Sequence, residues 1–306
     1  MKLKTVITVF LFASSPLVSM ACDICGCGIG NNYIGILPEF NSKIIGVRYR
    51  SNNLWTDIGA NGAHTYLTTE ERYQTTELWG AWNLGQKFRV MATIPYHFNS
   101  KMNQGTSTQK NGFGDMSATV FYKLYNSKKT ISEDKLLVQS LWIGGGIKAP
   151  TGYYADEEAS ATTANLFQLG TGSLDFSIIG MYDIRLNDAG INLTANYRMA
   201  TENKSDYRYG NKFSNTTQFY YKFLIKNKLR LAPNAGVQYE KAAIDSRAGF
   251  DVANSGGSAL LGTIGLEVNK GKWFAGANFQ TPFYQNLALG SVVAENRFMV
   301  HLGISL

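Results

Sequence analysis

Along Glu295 to Leu306, Phe298, Val300, Leu302, Ile304 and Leu306 alternate with Met299, His301, Gly303 and Ser305. A period of two with one apolar and one mixed face predicts a β-strand whose faces meet different surroundings. The pattern recurs upstream. Ile45, Val47 and Tyr49 oppose Arg48 and Arg50, and Phe88, Val90, Ala92, Ile94 and Phe98 oppose Lys87, Arg89, Met91, Thr93 and His97. Met116 to Leu124, Leu174 to Arg185, Ile191 to Arg198, Thr217 to Ile225, Leu229 to Glu240, Leu260 to Val268 and Trp273 to Phe283 alternate likewise, as does Tyr73 to Leu84. Leu136 to Lys148 is also a strand, but apolar residues fall on both of its sides. Short turns are predicted at Asn83 to Lys87, 126–134, Asn187-Asp188, Lys226 to Lys228 and Asn269 to Gly271, and long loops near Asn99 to Phe113 and Pro150 to Gly172.

About twelve strands result, each near the length that crosses a bilayer at a tilt. Long loops follow the odd-numbered strands and short turns the even-numbered ones. The expected fold is all-β, a transmembrane up-and-down antiparallel β-barrel in a bacterial outer membrane, with both termini periplasmic. Its partners would be outer-membrane lipid and, through the C-terminal strand, the barrel-assembly machinery. Trp79, Trp82, Tyr122, Tyr197, Tyr221, Tyr239 and Trp273 lie near strand ends, where amphipathic rings meet headgroups. A soluble two-sheet sandwich is the competing fold; successive hairpins of alternating loop length fit it less well.

Composition narrows this. Charged residues are only 17%, and with 31 Gly and 17 Tyr the chain suits short strands and turns. The slightly negative mean hydropathy argues against a helical membrane protein, but a barrel turns only alternate residues to lipid. The Lys and Arg are scattered, which argues against nucleic acid as a partner. Residues 1–21 read as a signal peptide: Lys2 and Lys4, the apolar Val6 to Ala13, then Ser19 and Ala21 before a cleavage point. Residues 22–42 would form a Cys-containing segment, in part a plug, and 43–306 the barrel.

Cys22, Cys25 and Cys27 form C-x-x-C-x-C. Thiolates at this spacing suit copper or zinc. A disulfide in the oxidising periplasm, or acylation of Cys22, accounts for them equally well. The predicted inward faces carry Arg89, Lys123, Asp175, Asp183, Arg185, Arg198, Lys222, Arg230, Glu240 and Glu267, either a solute-selective lining or a paired polar filling. Phe121, Trp142, Met181 and Phe274 could add apolar contacts. Pro95 and Pro282 interrupt strand patterns and mark a bulge, a local opening or a strand end at the rim. Catalysis is not expected: His64, His97 and His301 lack a neighbouring nucleophile motif, and Asp156, Glu157 and Glu158 read as a solvated loop surface.

GFGDM (Gly112 to Met116), GGGIKAPTG (Gly144 to Gly152), GTGSLDF (Gly170 to Phe176), FQTPFYQNLALG (Phe279 to Gly290) and the hairpin Thr76 to Tyr96 carry a resemblance. In order and spacing they resemble the outer-membrane barrel family of the Putative MetA-pathway of phenol degradation, over most of residues 43–306. The resemblance implies a channel or transporter for a small hydrophobic or aromatic solute, with lateral exit to the membrane where Pro95 or Pro282 kinks the wall. The Cys segment lies outside the shared pattern. A metal-handling outer-membrane protein and a purely structural barrel are the alternative functions.

Overall fold

Strands that alternate over a dozen residues satisfy their backbone only by pairing edge to edge, and in lipid only a closed ring leaves no edge open. The structure, a computed structural model, describes residues 43–59, 62–155 and 165–306. The signal peptide, Cys22, Cys25, Cys27, the 22–42 plug segment and Asp156 to Glu158 lie outside the described residues. Twelve long strands make the wall: β1 (Ile44–Thr56), β2 (Thr69–Leu84), β3 (Phe88–Asn103), β4 (Ser117–Ser132), β5 (Lys135–Lys148), β6 (Asp175–Leu186), β7 (Ala189–Ala200), β8 (Lys212–Tyr221), β9 (Leu229–Ala242), β10 (Gly257–Lys270), β11 (Trp273–Leu287) and β12 (Val293–Ser305). Every strand pairs antiparallel with its chain neighbours, and β1 pairs with β12 with Ile44 opposite Ser305, so the ring closes.

Outside, Val47, Leu78, Ile143, Ile178, Ile264 and Leu302 are exposed and form an apolar belt. Aromatic rings border it. Phe88 and Tyr122 lie 5.1 Å apart and Tyr221 and Phe223 4.6 Å apart near the short-turn end, with Trp82 and Trp273 exposed there too. Tyr96 lies 4.9 Å from Phe98 and 5.2 Å from Phe113 toward the loop end. Such girdles mark the two headgroup levels of a membrane barrel. Trp79 departs from the girdle expected of it: it is buried inside the lumen, because it shares the inward parity of Glu77 and Ala81.

Four further expectations change. The predicted loop from Asn99 to Phe113 is β3 running on to Asn103, then a hairpin back along Thr106–Phe113. The predicted turn at 126–134 shrinks to residues 133–134, since β4 and β5 pair out to Ser132 and Lys135. Their polar ends favour no face, so alternation gives no signal there. The link after β11 is residues 288–292, a short turn rather than a long loop. In β5 the inward residues are Trp142, Gly144 and Gly146, settling a strand with apolar residues on both sides. A small sheet of Tyr207–Arg208, Ser246–Arg247 and Phe250–Asp251 ties two long loops together.

Ile264 stands mid-strand on the outer face of β10, 60% exposed. Ile264→Lys is expected to lower stability in lipid by about 2–4 kcal/mol, whereas Phe250→Lys in a loop should cost under about 1 kcal/mol. Urea unfolding of each variant in lipid vesicles checks this; equal effects would contradict the membrane-facing assignment.

Candidate functional site

The lumen has three levels. At the loop end, residues 165–171 fold inward across the opening. Leu166 and Phe167 are buried with Leu54, Tyr73, Leu261 and Val292. Phe167 lies 6.4 Å from Tyr73 and beneath the ammonium groups of Lys101 and Lys110, at 6.0 and 5.2 Å, and Lys110 Nζ also donates to its carbonyl at 2.8 Å. At the short-turn end Trp79, Met91, Phe121, Trp142, Met181 and Phe274 pack as a second apolar layer. Between them lies a cavity of about 90 Å³. Its lining is largely amide and hydroxyl: Asn192, Asn196, Gln218, Gln238, Asn278 and Gln280, with Thr194, Ser214 and Thr216.

Charges border this chamber. Glu77 is fully buried and shared by two arginines: Arg48 Nη2 lies 2.6 Å from it, and Arg50 closes the other oxygen. Arg48 also stands 5.8 Å over the Trp79 ring. Arg297 donates from Nη1 to both oxygens of Glu240, at 2.9 and 3.0 Å, while Gln238 bonds Glu240 and Gln280. Removing ions from water costs several kcal/mol each, so such groups persist only when paired and hydrogen-bonded, as these are.

The wall's ladder changes partner at Pro95, and the β11–β12 ladder ends early, at Gln280 opposite Arg297. Below Pro95, β3 pairs with β4 as far as Thr93 opposite Ser117. Above it, β3 pairs with the hairpin strand Thr106–Phe113 from Tyr96 onward. Pro95 stands at the changeover, its own carbonyl accepting from Gly114 N at 3.0 Å. Three loops meet beside it. Asp115 accepts from Gly152 N (3.0 Å), Thr171 N (2.9 Å), Thr171 Oγ1 (2.8 Å) and Lys148 Nζ (2.6 Å). Lys148 also reaches Asp175 at 3.1 Å, and Arg198 lies 3.9 Å from the same carboxylate. A Cβ on Gly152 would stand 2.7 Å from the Gly170 Cα and 3.0 Å from the Gly114 carbonyl carbon. Only hydrogen at these positions lets the three backbones approach. The GFGDM, GGGIKAPTG and GTGSLDF stretches therefore make one knot that closes the wall.

The ten lining residues predicted from alternation do not form a single site. Arg89 bonds Asn83 at 3.0 Å, Lys123 stands 4.7 Å over Trp142, Arg185 donates to the Asn187 carbonyl at 2.7 Å, Lys222 stands 5.2 Å over Tyr220, and Arg230 is exposed; all are near the short-turn end. Asp175 and Arg198 belong to the knot. Asp183 accepts from Tyr220 at 3.0 Å and from Asn192 at 3.4 Å. Glu267 is buried beside His301. Glu240 pairs with the chamber arginine Arg297. Pro282 faces inward beside the bulge between Leu260 and Leu261; β10 and β11 stay paired on both sides of it, while the β11–β12 ladder ends two residues before it, at Gln280 opposite Arg297. Sequence reasoning left Arg48, Arg50, Glu77 and Arg297 off the lining; their strand parity was the signal. Asp115 lies outside any strand, so alternation held no signal for it.

The sequence model of the family described as Putative MetA-pathway of phenol degradation matches residues 51–288. Among solved structures, the chain is similar to the COG4313 outer membrane channel from Pseudomonas putida F1: 12% identity, TM-score 0.62, covering 87% of this chain and 96% of that one. It is also similar to the β domain of the Bordetella autotransporter BrkA: 10% identity, TM-score 0.52, covering 87% and 100%. No curated protein matches it in sequence. Closed twelve-strand wall, apolar belt and family together put the protein in the bacterial outer membrane.

Glu77→Gln removes the one carboxylate that two buried arginines share. Loss of about 3–5 kcal/mol of stability is expected, read by chemical unfolding of the refolded barrel. A change below about 1 kcal/mol would show that the arginines find water or another partner.

Proposed function

We propose that this chain, which belongs to the Putative MetA-pathway of phenol degradation family, is an outer-membrane channel for a small hydrophobic or aromatic solute. One observation carries the reading: a polar-lined cavity of about 90 Å³ lies inside a closed wall, beneath an apolar lid segment and above an aromatic layer. A barrel kept only for its wall has no need of unfilled space at its centre. The rings of Trp79, Phe121, Trp142 and Phe274 form an apolar layer at the short-turn end, in keeping with an aromatic solute.

The exit we favour is lateral, beside Pro95. There the wall is held by side chains of the Asp115 knot instead of by a continuous ladder, so it can part without unpairing a strand. The reading contains no catalytic step. His97 is held by Thr75 at 2.8 Å, and among the described residues no group of His, Cys, Asp and Glu is arranged to hold a metal ion.

Entry of toluene into intact cells with a complete lipopolysaccharide leaflet tests the proposal. Cells making the protein are expected to take it up several-fold faster than cells without it, and Asp115→Asn, which loosens the knot, should alter that rate while the barrel still folds. Equal uptake with and without the protein would overturn the channel reading and leave a structural barrel.

A further inference from the structure

The two ends of the barrel differ in charge. At the loop end, among the described residues, five exposed carboxylates stand against three exposed cations, Arg72, Lys204 and Arg208. At the short-turn end the balance is reversed, most steeply where two turns lie side by side. Lys226 and Lys228 stand between β8 and β9, and Lys270 and Lys272 where β10 turns into β11; all four are exposed. Residues 222–230 and 269–273 hold no Asp or Glu. β9 and β10 bring the turns together by pairing Leu229 with Lys270. We infer that this corner of the wall binds an anionic phospholipid, its phosphodiester held by the four lysines and its acyl chains lying on the outer wall. The inference goes beyond the channel reading and needs only that the barrel stands in a membrane.

Position is the first argument. Lys270 shares the outward parity of Ile264, Leu266 and Val268, and it pairs across the sheet with Trp273. Ammonium and indole therefore stand side by side on the lipid-facing surface. A lysine so placed lays its stem along apolar wall and keeps its charge in the headgroup layer. Phe223, Leu224 and Trp273 are exposed there and offer acyl chains an apolar surface. Turn length is the second argument. Both turns are short and follow directly on the aromatic border, so their ammonium groups reach little beyond the headgroup plane. A soluble acidic partner would have to press against the membrane to meet them. Charge is the third. The adjoining turn and strand end add two carboxylates, those of Asp188, whose carbonyl accepts from Lys222 N at 2.8 Å, and of Leu306, whose N–H donates to the Lys43 carbonyl at 2.8 Å. Lys43 is itself exposed, so the corner keeps an excess of positive charge. Clustered cations at a membrane surface attract acidic headgroups, and salt screens that attraction.

Quenching of tryptophan by brominated lipid tests the inference in the folded, full-length protein. Trp79 and Trp142 are buried in the lumen, so with Trp55→Phe and Trp82→Phe the indole of Trp273 reports on the lipid beside it. Vesicles of phosphatidylcholine would contain either brominated phosphatidylglycerol or brominated phosphatidylcholine. Phosphatidylglycerol is expected to be preferred beside Trp273 by about threefold or more at low salt, and by much less at about 0.5 M salt. Changing Lys226, Lys228, Lys270 and Lys272 together to Gln should bring the two lipids to near equality. If that variant fails the heat-modifiable mobility check for folding, Lys226→Gln with Lys228→Gln, confined to an exposed turn, should still lower the preference by about half. Soluble glycerol phosphate, the headgroup without its chains, is expected to leave the preference in place. Equal quenching by the two lipids, or a preference unmoved by salt and by every lysine variant that folds, would overturn the lipid site. Loss of the preference to millimolar glycerol phosphate would also overturn it, in favour of a site for a soluble phosphate ester.

Discussion

Every backbone N–H and C=O at membrane depth must find a partner within the protein, and most of this structure follows from that requirement. It forces the strands into a closed ring, with β1 joined to β12. The ring in turn divides every strand into a lipid-facing and an inward-facing set of residues. The outer set carries an apolar belt with aromatic borders. The inner set is released from lipid and can hold buried charges, amides and rings at separate depths. The polar chamber exists because its side chains share parity on strands whose other face is in contact with hydrocarbon.

The same requirement explains the Asp115 knot. Where β3 leaves β4 at Pro95, strand edges would be open at the level of the membrane. Proline removes one donor at the point of change, and the loops around Gly152 and Gly170 cover the remaining edges. One carboxylate gathers two backbone amides, a hydroxyl and an ammonium group there. Charge-assisted hydrogen bonds of this kind are stronger than neutral ones, so a side-chain closure can replace a short run of ladder.

Much of the barrel was legible in the sequence because its physics is local. A period of two states which residues face lipid, and loop lengths state the direction of each strand. That sufficed for the number of wall strands and for the inward parity of residues such as Arg89, Asp175 and Glu240. What alternation does not encode is depth and partnership around the ring. It put Trp79 at a headgroup border because the residue lies near a strand end, whereas inward parity makes it part of the lumen. The same ten inward residues fell into separate groups because barrel stagger brings together residues far apart in sequence, such as Arg297 and Glu240. Asp115 sits between strands, where no period exists. Its glycine-rich surroundings were noticed as family motifs, and their common purpose became visible only when Gly114, Gly152 and Gly170 were seen in contact.

The central claim is that this wall has lipid on one side and a protein-lined interior on the other, residue by residue. Spin labels placed singly at residues 297–303 of β12, in protein with Cys22, Cys25 and Cys27 changed to Ser and folded in lipid vesicles, test it most directly. Collision with oxygen, which concentrates in lipid, should be high at 298, 300 and 302 and low at 297, 299, 301 and 303. Uniform accessibility along the strand, or the opposite alternation, would contradict the account.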